Sequence, residues 1–98
     1  MHAAALCLEV HIGESNSLKE KRKVVRPFVE GLRHLASLSV AEVAHHDTWQ
    51  RAAVGVAVVA PDARELERLI ERIRRYVDEQ VELSVVEVTV TYMEDPRG

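Results

Sequence analysis

One stretch decides where the first helix begins: Glu14–Lys23, with the sequence ESNSLKEKRK. Ser17 can cap that helix, since its hydroxyl can accept a hydrogen bond from a backbone N–H of the first turn. Glu20 follows three residues later, as in a capping box. The stretch also holds four of the thirteen basic residues: Lys19, Lys21, Arg22 and Lys23. It therefore sets the start of the helix and is the main candidate for a binding site.

A strand is predicted before this stretch and a helix after it. Within residues 3–12, apolar side chains occupy alternate positions from Leu6 to Ile12, and a period of two indicates a strand whose even positions face the core. After Ser17, apolar residues recur at steps of three and four as far as Leu35, which indicates an amphipathic helix. Pro27 lies inside this pattern. It predicts either a kink or a helix that restarts at the proline, and the sequence leaves both open.

The remainder of the chain predicts three more strands and one more helix. The strands are expected at residues 38–46, 51–60 and 82–93, and Asp62 is placed to cap the helix between the last two. Alternation in the last strand puts the following residues on its inner face: Val86, Val88 and Val90.

The order of these elements is typical of a ferredoxin-like βαββαβ sandwich. We therefore predict an α+β fold with a four-stranded antiparallel sheet and two helices on one face. Residues 1–98 are expected to form one domain of this kind, with residues 93–98 as a tail. In this topology the first strand ends at the same edge of the sheet as the connection between the second and third strands.

The composition excludes several classes of protein. With 47% hydrophobic and 30% charged residues the chain is not of the disordered type, and a net charge of −3 excludes a general electrostatic binder of nucleic acid. A single cysteine excludes an internal disulfide and fits a reducing compartment. The sequence shows no secretory signal and no apolar run long enough to cross a membrane. We expect a cytoplasmic protein without a membrane contact.

The shared edge of the sheet is predicted to bind an anion, with RNA or a ribosomal component as the possible partner. A helix N-terminus favours anions, basic side chains add charge, and an indole offers a stacking surface. The candidate residues are Ser15, Ser17, Lys19, Lys21, Arg22, Lys23, Trp49, Gln50 and Arg51. The alternatives stay open: Ser17 and Glu20 can serve only as caps, the basic run can be a solvated surface, and Trp49 can be a lid over the helix start.

The sheet face turned away from the helices is a second candidate surface. It is predicted to carry small side chains that let another surface approach closely, namely Ala5, Cys7, Gly55 and Ala57. Stacking aromatics of the kind used by RNA-recognition motifs are not predicted there. The alternatives are a homodimer or other protein contact and a solvated face, which antiparallel sheets tolerate.

A catalytic or metal site is not predicted. Glu9 and His11 project together from the first strand, and Glu42 can join them in one register, but two carboxylates and one imidazole are a weak pattern for a metal ligand set. Cys7 is expected among apolar neighbours, which gives no reason for reactivity. We therefore expect a protein that is not an enzyme and has no cofactor, no metal and no small-molecule substrate.

Three segments resemble a bacterial family. They are Glu14–Arg22, Val40–Val43 with Asp47–Ala52, and Val54–Val59, and together they are similar to the YlxP-like proteins, a family of unknown function. The resemblance covers residues 3–92 and implies a ferredoxin-like fold. Genes of this family lie beside genes for translation initiation and ribosome maturation factors, which implies a ribosome-associated role. No activity is established for the family, so the resemblance implies none for this chain.

Overall fold

The computed structural model describes residues 1–94, and the predicted βαββαβ order is confirmed. The elements are β1 (His2–His11), α1 (Leu18–Leu35), β2 (Ser39–Ala44), β3 (Arg51–Ala60), α2 (Ala63–Asp78) and β4 (Ser84–Glu94). Neighbouring strands are antiparallel in the order β2-β3-β1-β4. This is the ferredoxin-like α+β arrangement. Residues 93 and 94, predicted as tail, belong to β4; the remaining predicted tail residues, 95–98, lie outside the described residues.

The core lies between the inner face of the sheet and the two helices. The even positions of β1 from Ala4 to Val10 are buried, and they meet the buried stripe of each helix. The largest fully buried side chains are Phe28, Leu6, Leu8, Leu32, Ile73, Val10, Val54 and Val58. Burial of 16 valine, leucine, isoleucine and phenylalanine side chains, at roughly 1.5–3 kcal/mol each, is the main favourable contribution to the fold.

Both predicted helix caps are present. Ser17 Oγ accepts from the backbone N–H of Glu20 at 3.1 Å, and Asp62 Oδ1 accepts from the N–H of Glu65 at 2.8 Å. The carboxylate of Glu20 accepts from the N–H of Asn16 at 2.7 Å, one residue before the cap, so the capping box is shifted by one position.

Pro27 does not interrupt α1. The helix runs without a break from Leu18 to Leu35 with the proline inside it. A helix that restarts at Pro27 is therefore excluded. The exposed position of the proline allows the carbonyl of Lys23, which loses its helical donor, to be near water.

Two β-bulges change the predicted alternation of the edge strands. The register of β1 with β4 passes from Glu9↔Glu87 to Val10↔Val85, so that Val86 is the extra residue. The prediction that Val86 faces the core is wrong: Val86 is exposed, and Val85 is packed against the core in its place.

The second bulge lies in β2. Glu42 is opposite Val54, whereas Ala44 is opposite Ala53, which leaves Val43 as the extra residue. The strand ends at Ala44 and not at residue 46, because the next residue, His45, has a φ of 63° and so leaves the extended conformation.

The two helices meet through an aromatic contact. The rings of Phe28 and Tyr76 are stacked with centroids 5.5 Å apart, and the phenol of Tyr76 donates to the carbonyl of Phe28 at 2.8 Å. Burial raises the pKa of the Tyr76 phenol above its ordinary value near 10, so the phenol keeps its proton and donates at neutral pH. The ring lies against α1 at Gly31, which has no side chain to occupy that space.

Candidate functional site

Two distant segments meet at one edge of the sheet, which we call the rim: residues 12–23 and 45–51. Strand register alone puts His11 opposite Arg51. The segments are joined by three hydrogen bonds. They run from the N–H of Ile12 to the carbonyl of Gln50 at 2.9 Å, from Gln50 Nε2 to the carbonyl of Ser15 at 3.4 Å, and from Lys21 Nζ to the carbonyl of His45 at 2.7 Å. The turn that carries Trp49 is therefore fixed to the segment that starts α1, as the predicted topology requires.

Lys21 is not an exposed cation of the rim. It is only 2% exposed, and its ammonium donates to the carbonyl of His45 at 2.7 Å and lies 2.9 Å from Glu42 Oε2. That contact is an ion pair without the angles of a hydrogen bond, and Glu42 Oε2 has no aligned donor within the described chain. The structure thus gives Lys21 an internal role, in place of the predicted contact with phosphate.

The two serines are occupied as well. Ser15 is buried and its hydroxyl donates to the carbonyl of Ser17 at 3.1 Å, while the Ser17 hydroxyl caps α1. Both hydroxyls therefore serve the backbone of the helix start. For Ser17 this geometry favours the capping alternative over a direct contact with an anion.

The exposed cations of α1 lie along one side of the helix. Lys19, Arg22, Lys23 and Arg26 are all exposed, and at about 3.6 residues per turn they fall within roughly 100° of arc. We call these four residues the basic flank. Arg26 was not among the predicted site residues, although its spacing of four from Arg22 places it on the same side.

The basic flank borders a groove of about 300 Å³ between α1 and the hairpin of β2 and β3. The groove is lined by the aliphatic parts of α1, by Arg22 and Arg26, and by His46 and Asp47 of the turn. Trp49 is two residues further along the turn and is 50% exposed. Cations and one indole are thus presented to solvent at the same end of the molecule.

The remaining predicted cation of the rim, Arg51, is partly neutralised. Its guanidinium lies 3.6 Å from Glu9 Oε2 and 3.3 Å from His45 Nε2, and that imidazole nitrogen is 3.2 Å from the same carboxylate oxygen. Glu9 is on the open face of the sheet, whereas Glu42 pairs with Lys21 on the helix side. The register of β2 thus puts Glu9 and Glu42 on opposite faces of the sheet, which excludes their grouping as metal ligands or as an acid-base pair.

The open face of the sheet has the predicted small side chains at its centre. Ala5 and Ala57 are opposite each other in neighbouring strands, as are Cys7 and Gly55. Larger apolar residues surround them and are exposed: Val43, Val59, Val86 and Met93. Sequence patterning missed Val43 and Val86, because each belongs to a bulge.

Comparison with known proteins identifies the family. Residues 3–90 match the sequence model of the family DUF503, which is described as a protein of unknown function. The chain belongs to this family. A Bacillus subtilis (strain 168) protein described as uncharacterized protein YlxP is 31% identical over 86 residues, which are 88% of this chain and 90% of the relative. The predicted resemblance to the YlxP-like proteins is confirmed, and the family description assigns no activity. Within residues 1–94, the helices lack the combination of length and apolar character that a bilayer crossing needs.

Proposed function

We propose that this protein is a small non-enzymatic RNA-binding protein whose contact surface is the basic flank together with Trp49 of the rim. The observation that supports the proposal is the junction of the hairpin turn with the segment that starts α1. It holds a half-exposed indole at the end of the molecule where four exposed cations line one side of a helix.

The chemistry of the surface suits a single strand of RNA. Phosphates can pair with the lysines and arginines of the basic flank, and a base can stack on the indole, which contributes about 1–3 kcal/mol per base in single-strand binding. The overall charge of −3 disfavours binding elsewhere on the surface. Binding through about four phosphate contacts should therefore be weak, restricted to this surface and strongly dependent on salt.

The test uses ribosomal RNA and a short single-stranded RNA at low salt. Replacing Lys19 and Lys23 by glutamate should weaken binding at least roughly tenfold and reduce the slope of log K against log salt by about 1.4, since each phosphate contact contributes about 0.7. Trp49 is the only tryptophan, so quenching of its fluorescence reports contact at this site directly.

A matched control is available on the other helix. Arg64→Glu with Arg72→Glu makes the same change in net charge on the exposed side of α2. The control should bind RNA as the natural protein does. Equal losses of RNA affinity in the two double variants would contradict the proposal, as would RNA binding that does not quench Trp49. Binding of an acidic protein in place of RNA would mean that the surface recognises protein.

A homodimer formed through the open face is the second candidate function. The observation that favours it is the presence of four exposed apolar side chains around a centre of alanine, glycine and cysteine. Sedimentation in the micromolar range should show a dimer that Ala57→Arg dissociates, because a long charged side chain would separate the two faces. A monomer at all these concentrations would rule the dimer out.

A further inference from the structure

The two β-bulges leave one exposed valine on each edge strand, at nearly the same height of the sheet. Val43 of β2 lies between residues opposite Val54 and Ala53, and Val86 of β4 lies between residues opposite Glu9 and Val10. Since Glu9 is opposite Ala53 and Val10 is opposite Ala52, the two valines lie on either side of the height of Ala53, about one residue apart along the strands.

Both valines lie on the open face. Val43 Cγ1 is only 2.9 Å from the position that a Cβ on Gly55 would take, and Val86 lines a shallow depression together with Cys7 and Glu9. Val43 is 54% exposed and Val86 is 69% exposed. The open face thus has an apolar side chain at each of its two long edges, and the two are separated by the inner strands β3 and β1.

Charges of opposite sign are divided between the same two sides. Toward β4, Glu9 and Glu87 are directly opposite each other, a like-charge pair that is unfavourable. Toward β2 are Arg51 and His45, which reach Glu9. Among residues 1–94 no salt bridge includes Glu87. The face is therefore acidic on its β4 side and basic on its β2 side.

We infer that two copies of this chain stack their open faces about a two-fold axis parallel to the strands, an arrangement that rests on the homodimer given above as the second candidate function. Such an axis exchanges the two edges of the sheet and keeps the height of each residue. Val43 of one copy then meets Val86 of the second copy, twice per dimer. Arg51 of one copy then lies over His11 of the second copy, two residues along the strands from Glu9 and Glu87, which its long side chain can reach. His45, which follows Ala44 at the edge of the sheet, comes near Glu87 of the second copy.

The charges select this axis over the other two-fold axis in the plane of the interface. An axis perpendicular to the strands would place the charged end of one face over the apolar end of the other, near Val59 and Met93. Glu87 would then be covered without a cation, and a buried unpaired carboxylate is strongly unfavourable. The parallel axis gives Glu87 a cation and gives both bulge valines an apolar partner.

The area of the face suits a dimer of modest stability. Strands of 10, 6, 10 and 11 residues, about 4.8 Å apart, cover roughly 600 Å² in projection. A standard interface buries about 800 Å² on each partner. The small residues at the centre, Ala5, Cys7, Gly55 and Ala57, allow the two sheets to approach to the spacing of about 10 Å that is found in β-sandwiches.

A charge-exchange experiment tests the arrangement. Val43→Lys and Val86→Glu are made singly and together, and the dimer dissociation constant is measured by sedimentation equilibrium in the micromolar range. Each single variant should raise that constant at least roughly tenfold, because an unpaired charge then meets a valine at the interface. The double variant should recover most of the loss, since the ammonium introduced on β2 of one copy would face the carboxylate introduced on β4 of the second copy.

Recovery cannot come from within one chain. Positions 43 and 86 are on opposite edges of a four-stranded sheet, about 14 Å apart. Val81→Lys is the matched control, because Val81 is 92% exposed in the connection between α2 and β4 and away from the open face. This control should leave the dissociation constant unchanged, and circular dichroism confirms that each variant is folded.

The outcomes separate the arrangement from the dimer itself. A dimer that both single variants weaken and the double variant restores supports the inference. A dimer that the single variants weaken and the double variant does not restore overturns this arrangement, while contact through the open face stands. A monomer, or a dimer indifferent to both positions, overturns the arrangement and the open-face homodimer together.

Discussion

Gly31→Ala is expected to lower the free energy of unfolding by about 2–3 kcal/mol, although alanine is the better residue in a helix interior. A Cβ at position 31 would overlap Tyr76 Oη and would lie 2.7 Å from Cζ and 3.0 Å from Cε2. These distances are too short, so the ring must move. Movement of the ring disturbs its stacking on Phe28 and its hydrogen bond to the Phe28 carbonyl, which contributes about 1 kcal/mol.

Urea denaturation measures this loss, and two further variants define its cause. Gly13→Ala is the matched control, because the nearest atom to a Cβ there is 3.9 Å away and the residue does not have a positive φ. In a Tyr76→Phe background, Gly31→Ala should cost less, since the closest atom is gone. A Gly31→Ala protein as stable as the natural one would show that the helices pack differently at this contact.

The parts of the fold that the sequence predicts are those governed by repeated patterns. Alternation in β1 and β3, the stripe of α2 and the two capping residues each involve several positions that agree with one another, so an error at one residue does not change the result. The topology then follows from element order, and with it the meeting of Ser15 and Gln50 at the rim. The right-handed crossover of βαβ units, together with the antiparallel pairing of neighbouring strands, leaves few other topologies for this element order.

The bulges could not be predicted in the same way. A bulge adds one residue to one strand, and period-two alternation on either side of it is unchanged except in phase. Alternation with Val88 and Val90 selects Val86 for the core, and because Val85 is adjacent and equally apolar, the sequence does not show the change of phase. The pairing of β4 with β1 decides which valine faces the core, and it places the side chain of Val86 on the open face.

The burial of Lys21 is indicated by its position in the apolar stripe of α1, although a charged residue is not expected there. Leu18, Lys21, Val25, Phe28 and Leu32 are spaced three and four residues apart, so Lys21 occupies a core position of α1. On β2, Glu42 is two residues after the buried Val40 and shares its face. A lysine and a glutamate that both face the core can form an internal ion pair. The sequence alone does not show that α1 packs against β2, so it did not show that these two residues meet.

Glu42→Gln is expected to lower the free energy of unfolding by about 3 kcal/mol, because it leaves a buried ammonium without its counter-charge. Lys21 would then have only neutral acceptors, namely the carbonyl of His45 and the amide oxygen introduced at position 42. The Glu42 side chain is partly accessible to water, which puts the cost at the lower end of the range for breaking a buried ion pair. Urea denaturation measures the change. Glu30→Gln is the matched control: its partner Arg33 is exposed, and such surface pairs contribute about 0–1 kcal/mol.

The cause can be separated from simple loss of packing. When Lys21→Met is added to Glu42→Gln, the buried charge is removed together with its need for a partner, and most of the stability should return. The same double variant lacks the hydrogen bond from Lys21 to His45, so the hairpin turn is held less firmly and the fluorescence of Trp49 should change even though the fold is stable. A double variant less stable than Glu42→Gln alone would mean that Lys21 stabilises the rim through its bond to His45 more than through its charge.

The bond from Lys21 to His45 is also the reason why RNA binding must be tested with Lys19 and Lys23. A substitution of Lys21 would alter the turn that carries the indole and would weaken binding whether or not this lysine meets a phosphate.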